Sequence, residues 1–270
     1  MYLPTTHIGG LPYTGENSIQ KAVDLSVECF DIPFLPELGS KGDNIDSPIK
    51  NPGKLSCLDE FVKRIGDGTY ETVKIQIAGP VTAYKYDKYF SSCIDHLNAI
   101  KNVLPSNIKE VVVFADEPSL SDVVFDFDYE CLHKDWLAIA ESLKTESFKI
   151  KTGIHSCGDL TDRMELRRFD ALFNSEINII NVDASKYDTT KYPNYRGDEN
   201  KSKRIAWGVD FGNDLRFKNI NEIVEYLGQH AQDGDLLTPP CGWSHRLYNE
   251  GDVMGGVETL KAVQSRLNEL

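Results

Sequence analysis

Short strand-like runs alternate along this chain with longer stretches whose apolar residues recur at helical spacing, and that alternation limits the fold more than any other feature. The runs fall at residues 4–8, 32–37, 72–78, 110–114, 149–157, 177–182, 204–209 and 235–238. Val111, Val112, Val113 and Phe114 are apolar at consecutive positions, the pattern of a strand buried on both faces. Between the runs lie amphipathic stretches. Ala22, Val23, Leu25, Val27 and Phe30 share one face of the first, after a cap at Asn17 or Ser18. Val253, Val257, Leu260, Val263 and Leu267 line the last. Repeated strand and helix predict a parallel sheet with crossover helices. Eight such strands in 270 residues predict an α/β fold: a single (β/α)8 TIM barrel, residues 1–270 forming one domain. The alternative is a doubly wound open sheet. Its phosphate-binding Gly-x-Gly-x-x-Gly does not follow the first strand, where Gly9-Gly10 continues differently.

The chemistry-bearing residues gather just after the strands. Residues two apart on an extended backbone face the same way, so His155 and Cys157 can reach one ion. Imidazole nitrogen and thiolate sulfur suit zinc. Cys241, in Pro239-Pro240-Cys241-Gly242, ends another strand and is a third ligand. Three ligands with an open fourth position describe a catalytic zinc site, and the Cys-x-x-Cys pairs of structural zinc are missing from the sequence. Asp183, at the end of the run at 177–182, is either the fourth ligand or a hydrogen-bond partner of a neighbouring loop.

Asp116-Glu117-Pro118 ends the fourth strand, where the carboxylates would hold a substrate ammonium, do acid–base work, or form ion pairs across the strand ends. Gly9-Gly10 allows the backbone to approach a substrate carboxylate, and Glu37 ends its strand in a similar position. His7 is a core partner or a site residue, and His245 a site acid or a loop histidine. The other cysteines, Cys29, Cys57, Cys93 and Cys131, fall in or near helical patterns and read as packing residues.

A net charge of −13, from 29 basic and 42 acidic residues, argues against a nucleic-acid surface. No run reaches the ~18 apolar residues of a spanning helix, and the opening lacks a charged leader with an apolar core. A cytoplasmic protein with no membrane contact is expected.

The succession Ile8-Gly9-Gly10-Leu11-Pro12, Ala78-Gly79-Pro80-Val81-Thr82, Asp116-Glu117-Pro118, His155-Ser156-Cys157, Val182-Asp183-Ala184 and Pro240-Cys241-Gly242 resembles the catalytic domain of cobalamin-independent methionine synthase. More broadly it resembles the superfamily that joins that enzyme with uroporphyrinogen decarboxylase and the methylcobamide:coenzyme M methyltransferases. The resemblance implies a zinc-dependent S-methyltransferase of methionine biosynthesis, with His155, Cys157, Cys241 and Asp183 at the metal. It implies that Asp116 holds the amino group of homocysteine, with Glu37 a second acidic contact. The sequence departs from the family in having Gly10 where a serine is usual and Asp183 where the synthase has glutamate. It also lacks the synthase's N-terminal half, which helps bind the folate donor. That favours methylcobalamin carried on a partner corrinoid protein over a methyl-folate. Two alternatives stay open: a metal-free decarboxylase-like barrel, and a corrinoid- or metal-binding accessory protein without catalysis. The first is disfavoured because no arginine precedes Arg64.

Overall fold

The computed structural model describes residues 1–43, 51–85, 90–121, 129–142, 147–159, 177–196, 203–243 and 249–270. Six of the expected strands form one parallel sheet in chain order: β3 (Thr72–Ala78), β4 (Glu110–Asp116), β5 (Lys149–His155), β6 (Ile177–Asp183), β7 (Arg204–Gly208) and β8 (Leu236–Thr238). A separate two-stranded parallel sheet pairs β1 (Gly10–Leu11) with β2 (Glu37–Leu38). Seven α-helices are seen among the described residues: α1 (Ser18–Cys29), α2 (Leu58–Asp67), α3 (Pro80–Lys85), α4 (Phe90–Val103), α5 (Tyr129–Ser142), α6 (Ile220–His230) and α7 (Glu250–Asn268). None is long and apolar enough to cross a membrane.

The expectation of a closed eight-stranded barrel is therefore corrected: the large sheet is a six-stranded half-barrel. Proline explains the shortfall. The runs at 4–8 and 32–37 contain Pro4, Pro33 and Pro36, which have no N–H to give to a ladder. Each run makes one isolated bridge instead, Thr5 with Leu237 and Phe34 with Lys74. At both bridges the proline serves only as acceptor: Leu237 N donates to Pro4 O at 3.0 Å and Lys74 N to Pro33 O at 2.8 Å. Regular pairing begins only past these prolines, between β1 and β2.

Alternation along the strands divides the sheet into two faces. One face packs Val73, Ile75, Val111, Ile154, Ile205 and Trp207 against helical residues such as Phe61, Leu97, Ile223 and Leu260 in the large core. The inner face carries a smaller cluster of Ile8, Val112, Phe114, Ile179, Ala206 and Leu236. Full burial of a side chain of this size contributes about 1.5–3 kcal/mol, so the larger outer core supplies most of the stabilisation. The inner face can accordingly carry polar groups toward the strand ends.

Register sets which groups meet there. Asp116 lies opposite His155, and His155 opposite Asn181. The second alignment depends on a bulge: Thr152 pairs with Ile177 but Gly153 with Ile179, leaving Asn178 unpaired in the ladder. Its side-chain oxygen instead accepts from Thr152 N at 3.0 Å.

A candidate metal centre at the strand ends

His155 closes β5, and its ring is buried on the inner face. Cys157 follows two residues later at an exposed position, and half-buried Cys241 arrives from the end of β8. Cys157 Sγ is 3.4 Å from His155 Nε2 and 3.4 Å from Cys241 Sγ. All three ligand atoms lie within 4.8 Å of one another. Around one tetrahedral zinc, with bonds near 2.0–2.3 Å, such atoms would stand about 3.5–3.8 Å apart. The two contacts of Cys157 are within a few tenths of an ångström of those separations, and His155 and Cys241 would close by up to about 1 Å for the three side chains to hold one metal ion. Gly242 helps seat the third ligand, because a Cβ there would lie 3.3 Å from Gly10 N.

The group is electrostatically tuned. The Cys241 thiol is pulled down to about 4, first by the hydrogen bond from Cys157 and then by His155, while burial opposes. Cys157 keeps its proton in that pair and is pushed up. Burial would lower His155, but the hydrogen bond with Cys241 and the charge of Asp116 hold it above its ordinary value. A thiolate beside imidazole is a ready ligand for a divalent cation.

Asp116 stands next to this group in the register, partly exposed at the rim, and its Oδ1 is buried without a hydrogen-bond partner. Burial raises its pKa to about 6, against the pull of His155 and Lys74. Glu37 opens β2 beside Gly10 and is pushed up to about 8, first by burial and then by Asp116. Gly9 requires its residue type: its φ is +137°, and a Cβ there would come within 2.4 Å of Gln76.

Lys74 and Gln76 were not among the residues singled out from the sequence. Lys74 is wholly buried on the inner face, where its Nζ donates to Ile8 O at 2.9 Å and Gln76 Oε1 at 3.1 Å and stands 4.8 Å from the Phe114 ring centre. Burial lowers it to about 8, while Asp116 and Glu37 oppose that shift. The signal was present in Val73-Lys74-Ile75-Gln76-Ile77, where polar residues alternate through a strand that is otherwise apolar.

Other candidates stand apart from the metal group. Glu117 is turned toward α3: its carboxylate accepts from Val81 N at 2.9 Å, Thr82 N at 2.7 Å and Thr82 Oγ1 at 2.8 Å. Asp183 lies outside the three-residue cluster, and its Oδ1 accepts from Ser185 N at 3.1 Å, Ser185 Oγ at 2.6 Å and Lys186 N at 3.1 Å. These are the contacts of the loop-capping alternative, and they occupy Oδ1 alone. His7 is a core residue, packed on Phe34 and Trp243 with ring centres 4.7 and 4.4 Å away, and its Nδ1 accepts from Gly9 N. His245 lies outside the described residues, as does the side chain of Cys131. Cys57 and Cys93 are buried and Cys29 half-buried, as packing residues would be.

Beside the Cys241 segment lies a cavity of about 600 Å³, with Asp210, Phe211, Pro240, Trp243 and Gly255 in its walls.

Fold and site together define an α/β protein with a parallel half-barrel sheet and a His–Cys–Cys group able to bind a metal at its strand ends. Among solved structures it is similar to a protein of Listeria monocytogenes, provisionally described as a vitamin-B12 independent methionine synthase. The two share 14% sequence identity with a TM-score of 0.60, over 100% of this chain and 98% of that one. At that identity the likeness is one of fold. No protein-family model matches the chain, and no curated protein matches it.

Proposed function

We propose that this protein is a zinc-dependent methyltransferase that transfers a methyl group from a corrinoid or folate donor to a small thiol such as homocysteine, with residues 1–270 acting as one catalytic unit. The observation that carries this reading is the convergence of His155, Cys157 and Cys241 within 4.8 Å at the strand ends. These residues would hold the ion and leave a position for a substrate sulfur. Bound zinc would supply Lewis acidity, which keeps a thiol ionised and nucleophilic near neutral pH. The fold likeness to the Listeria protein is consistent with this chemistry.

The chain's own residues would orient the thiol. The unpartnered Oδ1 of Asp116 accepts from a substrate ammonium, an interaction worth about 1.5–3 kcal/mol when one partner is charged. Glu37 adds a second carboxylate, and Lys74 beneath them offsets part of their charge. The backbone amide of Gly10 receives the substrate carboxylate, the N–H of Gly9 being given to His7 Nδ1. In the transfer the thiol first releases its proton to solvent water. The sulfur–carbon bond then forms as the donor–carbon bond breaks, and that bonding pair stays with the donor.

Metal analysis with single-turnover kinetics tests the reading. Protein supplied with zinc should retain about one equivalent and methylate homocysteine from methylcobalamin or a methyl-folate. Retention below ~0.2 equivalents would overturn it, given the tight binding of such sites.

A further inference from the structure

Asn181 is buried on the inner face between the imidazole of His155 and the strand that leads to Cys241. Its Nδ2 donates to Ala206 O at 2.9 Å and to Thr238 Oγ1 at 2.9 Å, and its Oδ1 stands 2.5 Å from His155 Nδ1. These contacts settle the amide orientation. A backbone carbonyl can only accept, so the atom facing Ala206 O is the nitrogen. The atom facing His155 is then the oxygen, which also can only accept, so Nδ1 must carry the hydrogen. In the neutral ring this leaves Nε2 with a lone pair, and Nε2 is the atom 3.4 Å from Cys157 Sγ.

Two further observations show how the contact is built. Without the bulge at Asn178, continuing the Thr152–Ile177 register would place Ile180 opposite His155 and turn Asn181 to the outer face. Thr238, the second acceptor of the amide, lies three positions before Cys241 on the β8 segment. One side chain thus links β5, β6, β7 and β8 across the inner face.

We infer that Asn181 is a positioning residue that selects the Nδ1–H tautomer of His155 and ties that ring to the β8 segment bearing Cys241, so that the imidazole presents Nε2 to the metal position. The selection of tautomer stands on the hydrogen-bond pattern alone. Only its use at a metal rests on the function proposed above. Partners of this kind typically contribute 10–100-fold to metal affinity.

The test reads the ring first and the metal second. In metal-free protein, at a pH that keeps the ring neutral, nitrogen–proton correlation spectra of His155 should show the Nδ1–H form. An Nε2–H form in the unmodified protein would overturn the inference without any variant. Asn181→Leu should lose the tautomer preference and bind zinc about 10–100-fold more weakly in chelator competition. Asn181→Asp sets a carboxylate oxygen against Ala206 O, so it should lose stability, yet it keeps an acceptor for Nδ1–H and should retain both the tautomer and zinc affinity within a few-fold. Zinc affinity that instead follows stability through the two variants would reduce Asn181 to a structural residue and overturn the proposal. Failure of the unmodified protein to take up zinc would count against the function proposed above, while the ring spectrum would still decide the role of Asn181.

Discussion

The sulfur atoms of Cys157 and Cys241 stand 3.4 Å apart, although 84 positions separate them in the chain. Local geometry accounts for His155 and Cys157, which are neighbours on one strand end. Cys241 reaches them only because β5 to β8 run parallel in register and Gly242 packs against Gly10.

Replacing Cys241 with serine should therefore abolish stoichiometric zinc binding, because a hydroxyl stays protonated where the thiol is pulled down to about 4. Cys29→Ser, at a half-buried position on α1, should retain about one equivalent. Metal analysis of the two variants after dialysis checks the contrast. Equal retention would show that residue 241 is not a ligand.

Asp116→Asn should weaken an amine-bearing thiol about 10–100-fold relative to the same thiol without its amine, the worth of one hydrogen bond to a charged group. Only the ionised carboxylate attracts an ammonium. With a pKa near 6, affinity in the unmodified protein should rise with pH through about 6, ahead of the further rise as Glu37 ionises near 8. The asparagine variant should lack that step. Calorimetric titration across pH 5–8, a range of about one unit or more on either side, measures both effects.

Glu117→Ala should destabilise the fold by about 1–3 kcal/mol, because the buried amides of Val81 and Thr82 lose their acceptor. Zinc content should not change, since this carboxylate faces α3. Denaturant unfolding and metal analysis of one preparation decide the matter. A stable variant with impaired thiol binding would return Glu117 to the substrate site.

His96 is buried, accepts from Gly53 N at 2.9 Å, and is lowered from 6.5 to about 4 by burial, with Asp43 the charge that opposes the shift. The sign follows from proton counting. Between about 4 and 6.5 the unfolded chain holds the extra proton, so the contribution of His96 is lost as pH falls through that window. His96→Asn should make the dependence of stability on pH shallower there by up to about 1.4 kcal/mol per pH unit. Unfolding free energies of the two proteins at several pH values give the difference. Identical slopes would mean that His96 is not buried as a neutral ring.

The sequence by itself determined the order of strands and helices and the pairing of two of the three residues of the metal group. Short runs with apolar residues, bounded by turn residues, mark strands, so β3 to β8 stand within a residue or two of their expected places. His155 and Cys157 were legible for a similar reason, since the alternation of a single strand already sets them on one side. Tertiary structure decided the rest. The first two runs look like strands by composition, but pairing needs N–H groups that Pro4, Pro33 and Pro36 lack, and the expected eight-stranded barrel became a six-stranded sheet with a small companion. Asp183 and Glu117 sit at strand ends like Asp116, yet nearby backbone amides claim Asp183 Oδ1 and both Glu117 oxygens, and of the three only Asp116 has a buried oxygen without a partner. Asn181 faces His155 because of one unpaired residue in β6, and periodicity along a single strand carries no information about register against the next.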